Sequence, residues 1–311
     1  MFKFSKMIKV FTVALIAILF CFSCKSDEKK QVEDSILEGS TTILVDETLQ
    51  SIVEDEIAVF ESQYRAKINQ VNKSESEVVN ALLKDSVSRI AILTRKLTPQ
   101  EEKVFQNKNI IPKITEFGND AIVLIGNNKS NDTLVDLQEV LNLMQGKLSK
   151  IKGLVFENPN SSTVRYMNEL ASTKIDGKNG IYSLSSHEEV LKFITQNDGF
   201  VGIVGLNFIV QPTATMGQYR DKFKVLAVRD VKNKAINNTY YKPSQSNIGG
   251  GLYPLTRKLY MLNYQGKTGL GMGFVSCIAG ELGQRIILKS GLTPIRLPGR
   301  IVQVQKKISN N

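Results

Sequence analysis

Short apolar segments with the composition of β-strands alternate with amphipathic segments between residues 39 and 204. The strand-like segments occupy residues 41–45, 67–71, 89–93, 121–126, 154–156 and 201–204; the first is a β-branched run and residues 121–126 are fully apolar. Apolar residues recur at helical spacing in other segments, over residues 49–64, 75–84, 133–144, 164–170 and 188–194. A further helix is predicted to begin at Pro99 with Thr98 as its cap. Such alternation is typical of α/β proteins, so we predict a parallel sheet with helices on its faces.

The N-terminal residues predict a secretion signal. A basic start without acidic residues precedes an apolar run over residues 10–22, which is short for a permanent membrane span. The run ends at Ser23 and Cys24, and a small residue before a cysteine resembles the lipobox of bacterial lipoproteins. This resemblance implies that residues 1–23 are removed and that Cys24 carries a lipid; a conventional signal peptide cut nearby is the alternative. Residues 24–38 are polar and charged, and we interpret them as a flexible tether.

The cysteine content predicts no internal disulfide. With the signal removed and Cys24 acylated, Cys277 alone remains, and one thiol cannot form an internal disulfide. The predicted location is the cell envelope, on the periplasmic face of a membrane or at the cell surface. The net charge of +10 suits an anionic ligand, but it equally suits a protein beside an anionic membrane. We therefore expect a fold that depends on its hydrophobic core, and charge alone does not identify a partner.

Several functional classes lack their expected residues. Basic residues are dispersed and no aromatic-basic strand motif is evident, so we predict no nucleic-acid partner. The single histidine, His187, stands in a polar stretch and is expected to be exposed. Without a Ser-His-Asp set, a Cys-His pair or a metal-ligand cluster, we predict that the chain is not an enzyme and has no cofactor or metal.

Three turns are candidate ligand positions, because open α/β sheets bind ligands outside the carboxyl ends of their strands. They are residues 46–48, 94–95 and 158–163. In the first turn, Asp46 and Glu47 could simply stabilise a helix dipole, or a carboxylate there could accept the proton of monohydrogen phosphate and reject sulfate. In the second turn, Arg95 could equally be a solvated surface residue.

The third turn has the residue types of an anion site. Ser161, Ser162 and Thr163 are hydroxyl donors at a predicted helix start, and Arg165 adds charge shortly after them. Unpaired N–H groups and the helix dipole favour anions at such a position. The alternative is that Ser161 or Ser162 merely caps its own helix.

Taken together, segments along the chain resemble the PstS type of phosphate-binding protein. They are residues 91–97, 157–166, 199–205, 253–260, 273–276, 283–287 and 291–294. The resemblance implies a two-lobed periplasmic-binding-protein-like α/β fold of type II, with the ligand in the cleft. Lobe 1 is expected to comprise residues 39–127 and about 225–311, and lobe 2 residues about 128–224.

The same resemblance implies which residues contact the ligand. Ser161 and Thr163 match the hydroxyl ligands of the family's Ser-Gly-Thr loop, with Ser162 in the place of its glycine. Thr94 matches a ligand position, and Glu47 and Thr48 fall in the first binding turn. The family usually has an arginine where this chain has Glu157, so we hypothesise that Arg165, Arg95 or both supply the charge and that Glu157 orients one of them.

The implied function is that of a monomeric extracytoplasmic lipoprotein. It would bind inorganic phosphate or a similar oxyanion, deliver it to the permease subunits of an ABC transporter, and contact the membrane through its lipid. The alternatives are a receptor for another oxyanion or a phosphate ester, and a surface interaction module without a transport role.

Overall fold

The computed structural model describes residues 35–84, 88–174, 180–233 and 238–299. The predicted signal peptide, the predicted lipidation site Cys24 and most of the predicted tether lie outside these residues. The first strand, β1 (Glu38–Asp46), begins where the tether was expected to end, and a 3₁₀ turn (Glu47–Leu49) joins it to the first helix.

The elements of the first half follow the predicted alternation. After β1 they are α1 (Gln50–Gln63), β2 (Arg65–Lys73), α2 (Glu75–Lys84), β3 (Ile90–Leu93), α3 (Pro99–Gln106), β4 (Lys113–Asn127), β5 (Leu134–Asp136), α4 (Leu137–Met144), β6 (Gly153–Phe156) and α5 (Ser162–Ala171).

The second half mixes short strands with helices. Its elements are β7 (Ile181–Ser183), α6 (His187–Gln196), β8 (Phe200–Gly205), α7 (Leu206–Val210), a 3₁₀ turn (Met216–Tyr219), β9 (Phe223–Val225), β10 (Ala227–Arg229), α8 (Gln245–Gly249), β11 (Thr256–Asn263), α9 (Leu270–Ala279), α10 (Glu281–Lys289) and β12 (Thr293–Pro294).

The main sheet is mixed, so the prediction of a parallel sheet is wrong for β4 and β11. Its path runs β2-β1-β3-β11-β4-β8-β6-β7. The first three strands of the chain pair in parallel, as do β6, β7 and β8, but β11 is antiparallel to both of its neighbours and β4 is antiparallel to β8. Alternation predicts the direction of strands linked by helical crossovers, whereas the directions of β4 and β11 depend on pairing between distant segments.

Strand β4 belongs to both halves of the sheet. Its first part pairs with β11 up to Ala121, and Ile122–Ile125 then pairs with β8. The sequence predicted a strand only over residues 121–126, because several residues between 113 and 120 are polar and do not form an apolar run. Helix prediction over residues 133–144 likewise missed β5, which pairs with β10.

Local helix signals are confirmed. Thr98 caps α3 and accepts from the N–H of Glu101, whose carboxylate accepts from the N–H of Thr98, with Pro99 in the first turn. Helix α2 has the predicted bounds. Within the described ranges, no helix is both long enough and apolar enough to cross a bilayer.

Hydrophobic packing positions the carboxyl end of β1, whose Ile43 and Val45 belong to one buried cluster and Leu44 to another. The last four residues of β1 are buried, and α1 covers the strand through Ile52, Val53, Ile57 and Phe60. The ring of Phe60 meets that of Phe274 on α9 edge to face, with 5.4 Å between centroids. Because well-packed cores resist displacement, this packing holds the turn after β1 in place.

Candidate functional site

The turn after β1 meets the start of α5. The hydroxyl oxygens of Thr48 and Ser162 lie 3.1 Å apart, although the residues are 114 positions apart in sequence. Both side chains are fully buried. Glu47, in the same turn, accepts a hydrogen bond from the Asn158 amide at 2.9 Å. The structure thus brings the first and third predicted turns together.

The hydroxyl groups of the third turn have different roles. The Ser161 side chain accepts from the N–H of Val164 at 3.2 Å, so it caps α5, as the alternative interpretation proposed. Ser162 and Thr163 are buried in the first turn of that helix. The N–H groups of a first helical turn have no partner within the helix, so this end can bind an anion.

The cation at this helix end is Arg257, which the sequence analysis did not assign. It lies on β11 with 3% of its surface exposed, donates to the Ser162 hydroxyl at 2.9 Å, and forms an ion pair with buried Asp120 on β4. Arg257 stands in the segment 253–260 that carries the family resemblance. One sequence signal could have found it: Arg257 is in phase with Leu259 and Met261, so it lies on the buried face of the strand. A buried charge requires a partner, which marks such an arginine as a candidate.

Three buried carboxyl groups surround this guanidinium. They belong to Asp46, Asp120 and Glu157, each with at most 1% of its surface exposed. Burial raises the pKa of Asp46 to about 6, and the charge of Glu75 adds to the shift. One oxygen of Asp46 accepts from the N–H of Thr48 at 3.0 Å. The cluster therefore contains more acids than cations.

His187 is buried, which corrects the expectation of an exposed side chain. Only 8% of its surface is accessible, because it opens α6 on the core side and its ring stacks on Phe208 at 3.6 Å between centroids. Its Nε2 lies 3.8 Å from a carboxyl oxygen of Glu157. Burial lowers the pKa of His187 to about 3, so the imidazole is neutral at physiological pH.

The other two predicted cations bind Glu75 on α2. Arg95 donates to Glu75 at 3.0 Å and to both oxygens of Glu101, at 2.7 and 2.9 Å. Arg165 donates to Glu75 at 2.5 Å and to the Thr94 hydroxyl at 3.2 Å. Glu75 therefore orients both arginines, which corrects the hypothesis that Glu157 orients one of them. The second predicted turn meets α5 through this contact.

Several buried polar atoms of the cluster have no hydrogen-bond partner among the described residues. They are Asp46 Oδ2, Asp120 Oδ1, both carboxyl oxygens of Glu157, Thr163 Oγ1, His187 Nε2 and Arg257 Nε. Buried polar groups normally have partners. Since both donors and acceptors are present, the arrangement suits a small polar ligand that offers oxygens and at least one proton. Over the described ranges, no group of three or more His, Cys, Asp or Glu residues is arranged to hold a metal ion.

The fold is a two-lobed α/β architecture, and the candidate site lies at strand ends and a helix start. The family described as PBP superfamily domain matches residues 32–281, and the chain belongs to that family. No curated protein sequence matches the chain.

Solved structures of phosphate receptors have similar folds. One, from Clostridium perfringens, is assigned as a phosphate ABC transporter substrate-binding protein with bound phosphate; it has 18% identity and a TM-score of 0.63, covering 83% of this chain and 100% of that one. An ABC-type phosphate transport receptor from Vibrio cholerae has 15% identity and a TM-score of 0.62, covering 82% and 100%. PstS from Borrelia burgdorferi has 18% identity and a TM-score of 0.53, covering 84% and 100%. At these identities the likeness shows the fold.

Proposed function

We propose that the chain is an extracytoplasmic receptor that binds inorganic phosphate and delivers it to the permease subunits of an ABC transporter. The observation that carries this proposal is the buried set of Thr48, Ser162 and Arg257, which places two hydroxyl groups and a guanidinium at a helix N-terminus. Phosphate oxygens are the acceptors that such donors suit. The phosphate receptors with similar folds support the same ligand class.

The candidate ligand residues divide into two groups in this proposal. Thr48, Ser162, Thr163 and Arg257 contact the phosphate, with Ser161 holding the helix start in position. The second group makes contacts beside the ligand. Arg165 bonds Glu75 and Thr94, and Asn158 bonds Glu47, so both contacts link the proposed lobes, whereas Arg95 binds Glu75 within proposed lobe 1. We retain the lobe boundaries at about residues 127 and 225, and closure of the lobes would bury the ligand.

A thermal-shift panel tests the ligand. Purified protein is titrated with phosphate, arsenate, sulfate, molybdate and phosphate esters, because a ligand that binds only the folded state raises the melting temperature. We expect phosphate and arsenate to raise it and sulfate to have little effect. A Ser162→Ala variant should lose the response, and Ser62→Ala, on the exposed end of α1, should keep it. No shift with any oxyanion would overturn the proposal.

A phosphate ester is the second candidate. A groove beside the buried cluster opens next to Ser161, and its charged and polar lining includes Glu75, Arg95, Asn160, Arg165 and Lys174. An ester group attached to a phosphate at the α5 start could extend into this groove. A larger thermal shift with an ester than with inorganic phosphate would favour this candidate.

Membrane attachment has its own test. The proposed lipid site, Cys24, lies outside the described residues. Metabolic labelling with a radioactive fatty acid should label the parent protein and should leave a Cys24→Ala variant unlabelled. Equal labelling of both proteins would contradict lipidation at this cysteine.

A further inference from the structure

The carboxyl group of Glu157 is buried without a partner of its own. It follows β6 directly, 1% of the residue is exposed, and neither oxygen has a hydrogen-bond partner within the part of the chain that the structure describes. The hydroxyl groups of Thr163 and Ser161 lie close enough to the Glu157 carboxyl group to favour its charged form and so lower its pKa. Neither hydroxyl has the geometry of a hydrogen bond to that carboxyl group. A charged carboxylate in such a place is costly.

The counter-charge near Glu157 is that of Arg257, which opposes the rise of the Glu157 pKa but is shared with other groups. Arg257 is already paired with Asp120 and bonded to Ser162. His187 Nε2, at 3.8 Å, belongs to a neutral imidazole. The titratable and charged groups that face Glu157 or its immediate neighbours come from every element around the cluster; they are Asp46 at the end of β1, Glu47 after it, Glu75 on α2, Asp120 on β4, Tyr166 on α5, His187 on α6 and Arg257 on β11.

An incoming anion makes the ionised form of Glu157 still less favourable. Phosphate bound at the start of α5 would place one or two further negative charges beside a cluster that has three carboxyl groups and one guanidinium. Burial already raises the pKa of Glu157, and a nearby anion raises it further. In its protonated form the carboxyl group has an O–H donor. This donor could bind a phosphate oxygen at the position where the phosphate-binding proteins that this chain resembles usually have an arginine.

We propose that Glu157 is a ligand-binding residue that holds a proton when the anion is bound, so that the site takes up phosphate together with a proton. This inference rests on the proposed function. The proton comes from solvent and leaves with the ligand; no bond of the phosphate is formed or broken. The site would thus bind phosphate without an additional cation, by making one of its own carboxyl groups neutral.

The test compares the parent protein with Glu157→Gln, which keeps a hydrogen-bond donor but cannot ionise. Phosphate affinity is measured by calorimetry from pH 6 to pH 9. Phosphate itself changes protonation over this range, but this affects both proteins equally and cancels in the ratio of their affinities. We expect the two affinities to differ least at the acidic end of this range, because the pKa of Glu157 is raised. Where Glu157 is ionised in the free protein, parent affinity should fall by about an additional tenfold per pH unit relative to the variant.

Calorimetry in buffers of different ionisation enthalpy gives a second readout, the number of protons taken up on binding. At alkaline pH the parent should take up as much as one proton more than Glu157→Gln. The matched control is Glu281→Gln, which removes an exposed carboxylate paired with Arg285 and should behave like the parent.

The outcomes separate the two proposals. Equal pH slopes and equal proton uptake for parent and Glu157→Gln would overturn this inference and leave phosphate binding intact. Loss of binding by Glu157→Gln at every pH, with its melting temperature unchanged, would also overturn it, because the ionised carboxylate would then be the required form. No binding by the parent at any pH would overturn the proposed function, and this inference with it.

Discussion

The guanidinium of Arg257 lies 2.9 Å from the hydroxyl oxygen of Ser162, and this contact joins β11 to the N-terminus of α5. The same guanidinium is paired with Asp120 on the neighbouring strand. A single buried side chain therefore connects the middle of the sheet to the helix that has the features of an anion site. Since Ser162 also contacts Thr48, the contact orders three separate parts of the chain.

Replacing Arg257 by glutamine should destabilise the protein and abolish the phosphate response. Removing one partner of a buried ion pair costs about 3–5 kcal/mol, because Asp120 is left without its counter-charge. Urea unfolding measures the loss, and the thermal shift measures binding. The control Arg285→Gln removes an exposed cation and should change neither.

A second variant separates stability from binding at Arg257. The double change Asp120→Asn and Arg257→Gln removes both members of the buried ion pair and leaves only Asp46 and Glu157 as buried acids there. Part of the stability should therefore return, while phosphate still has no cation to bind. Recovery of binding together with stability would show that Arg257 does not contact the ligand.

Thr48→Val removes a hydroxyl group from the candidate site with little change in shape. We expect phosphate affinity to fall roughly tenfold, which corresponds to about 1.4 kcal/mol for a lost hydrogen bond. Calorimetry measures the affinity. Thr195→Val, at a hydroxyl that bonds only a carbonyl of its own helix, is the matched control. Affinity equal to that of the parent would place the ligand away from Thr48.

The triple variant Glu75→Gln, Arg95→Ala and Arg165→Ala, which leaves no buried carboxylate at position 75 without its cations, should keep most of its phosphate affinity. Both guanidinium groups are bound to Glu75, so their charge is largely matched before any ligand arrives. We expect an affinity change of less than about threefold, since opposite charges that already pair contribute little field at a distance. A loss of a hundredfold or more in calorimetry would instead support the sequence-based assignment of these arginines to phosphate.

Glu56 on α1 should make stability depend on pH. Its side chain is buried without a partner among the described residues, and burial, with the charge of Asp55 in addition, raises its pKa from 4.5 to about 8. Because the folded state favours the protonated form, the associated stability is fully present below pH 4.5 and is lost as the pH rises through about 8.

Glu56→Gln should therefore gain stability relative to the parent as the pH is raised. We expect a difference of about 2–4 kcal/mol between pH 5 and pH 8 in urea unfolding, since each unit of pKa shift corresponds to about 1.4 kcal/mol. Glu54→Gln, exposed on the same helix, should show no such trend. A parallel pH dependence of parent and Glu56→Gln would contradict the prediction.

Local sequence signals predicted much of the fold. Apolar periodicity located α1 and α2, a short apolar run located β3, and capping residues located the start of α3, because these signals depend on residues a few positions apart. The approximate positions of the three turns also followed, since strand ends and helix starts are local features. Two of these turns meet at Thr48 and Ser162.

The sequence by itself determined the α/β alternation, the helix starts and a hydroxyl-rich turn at the N-terminus of α5. Tertiary structure decided the antiparallel course of β4 and β11, the burial of His187 and the identity of the cation. Arg257 is 95 positions from Ser162 and 137 from Asp120. A charge that is buried by strands so distant in sequence has no local signature, because its environment exists only once the sheet has formed.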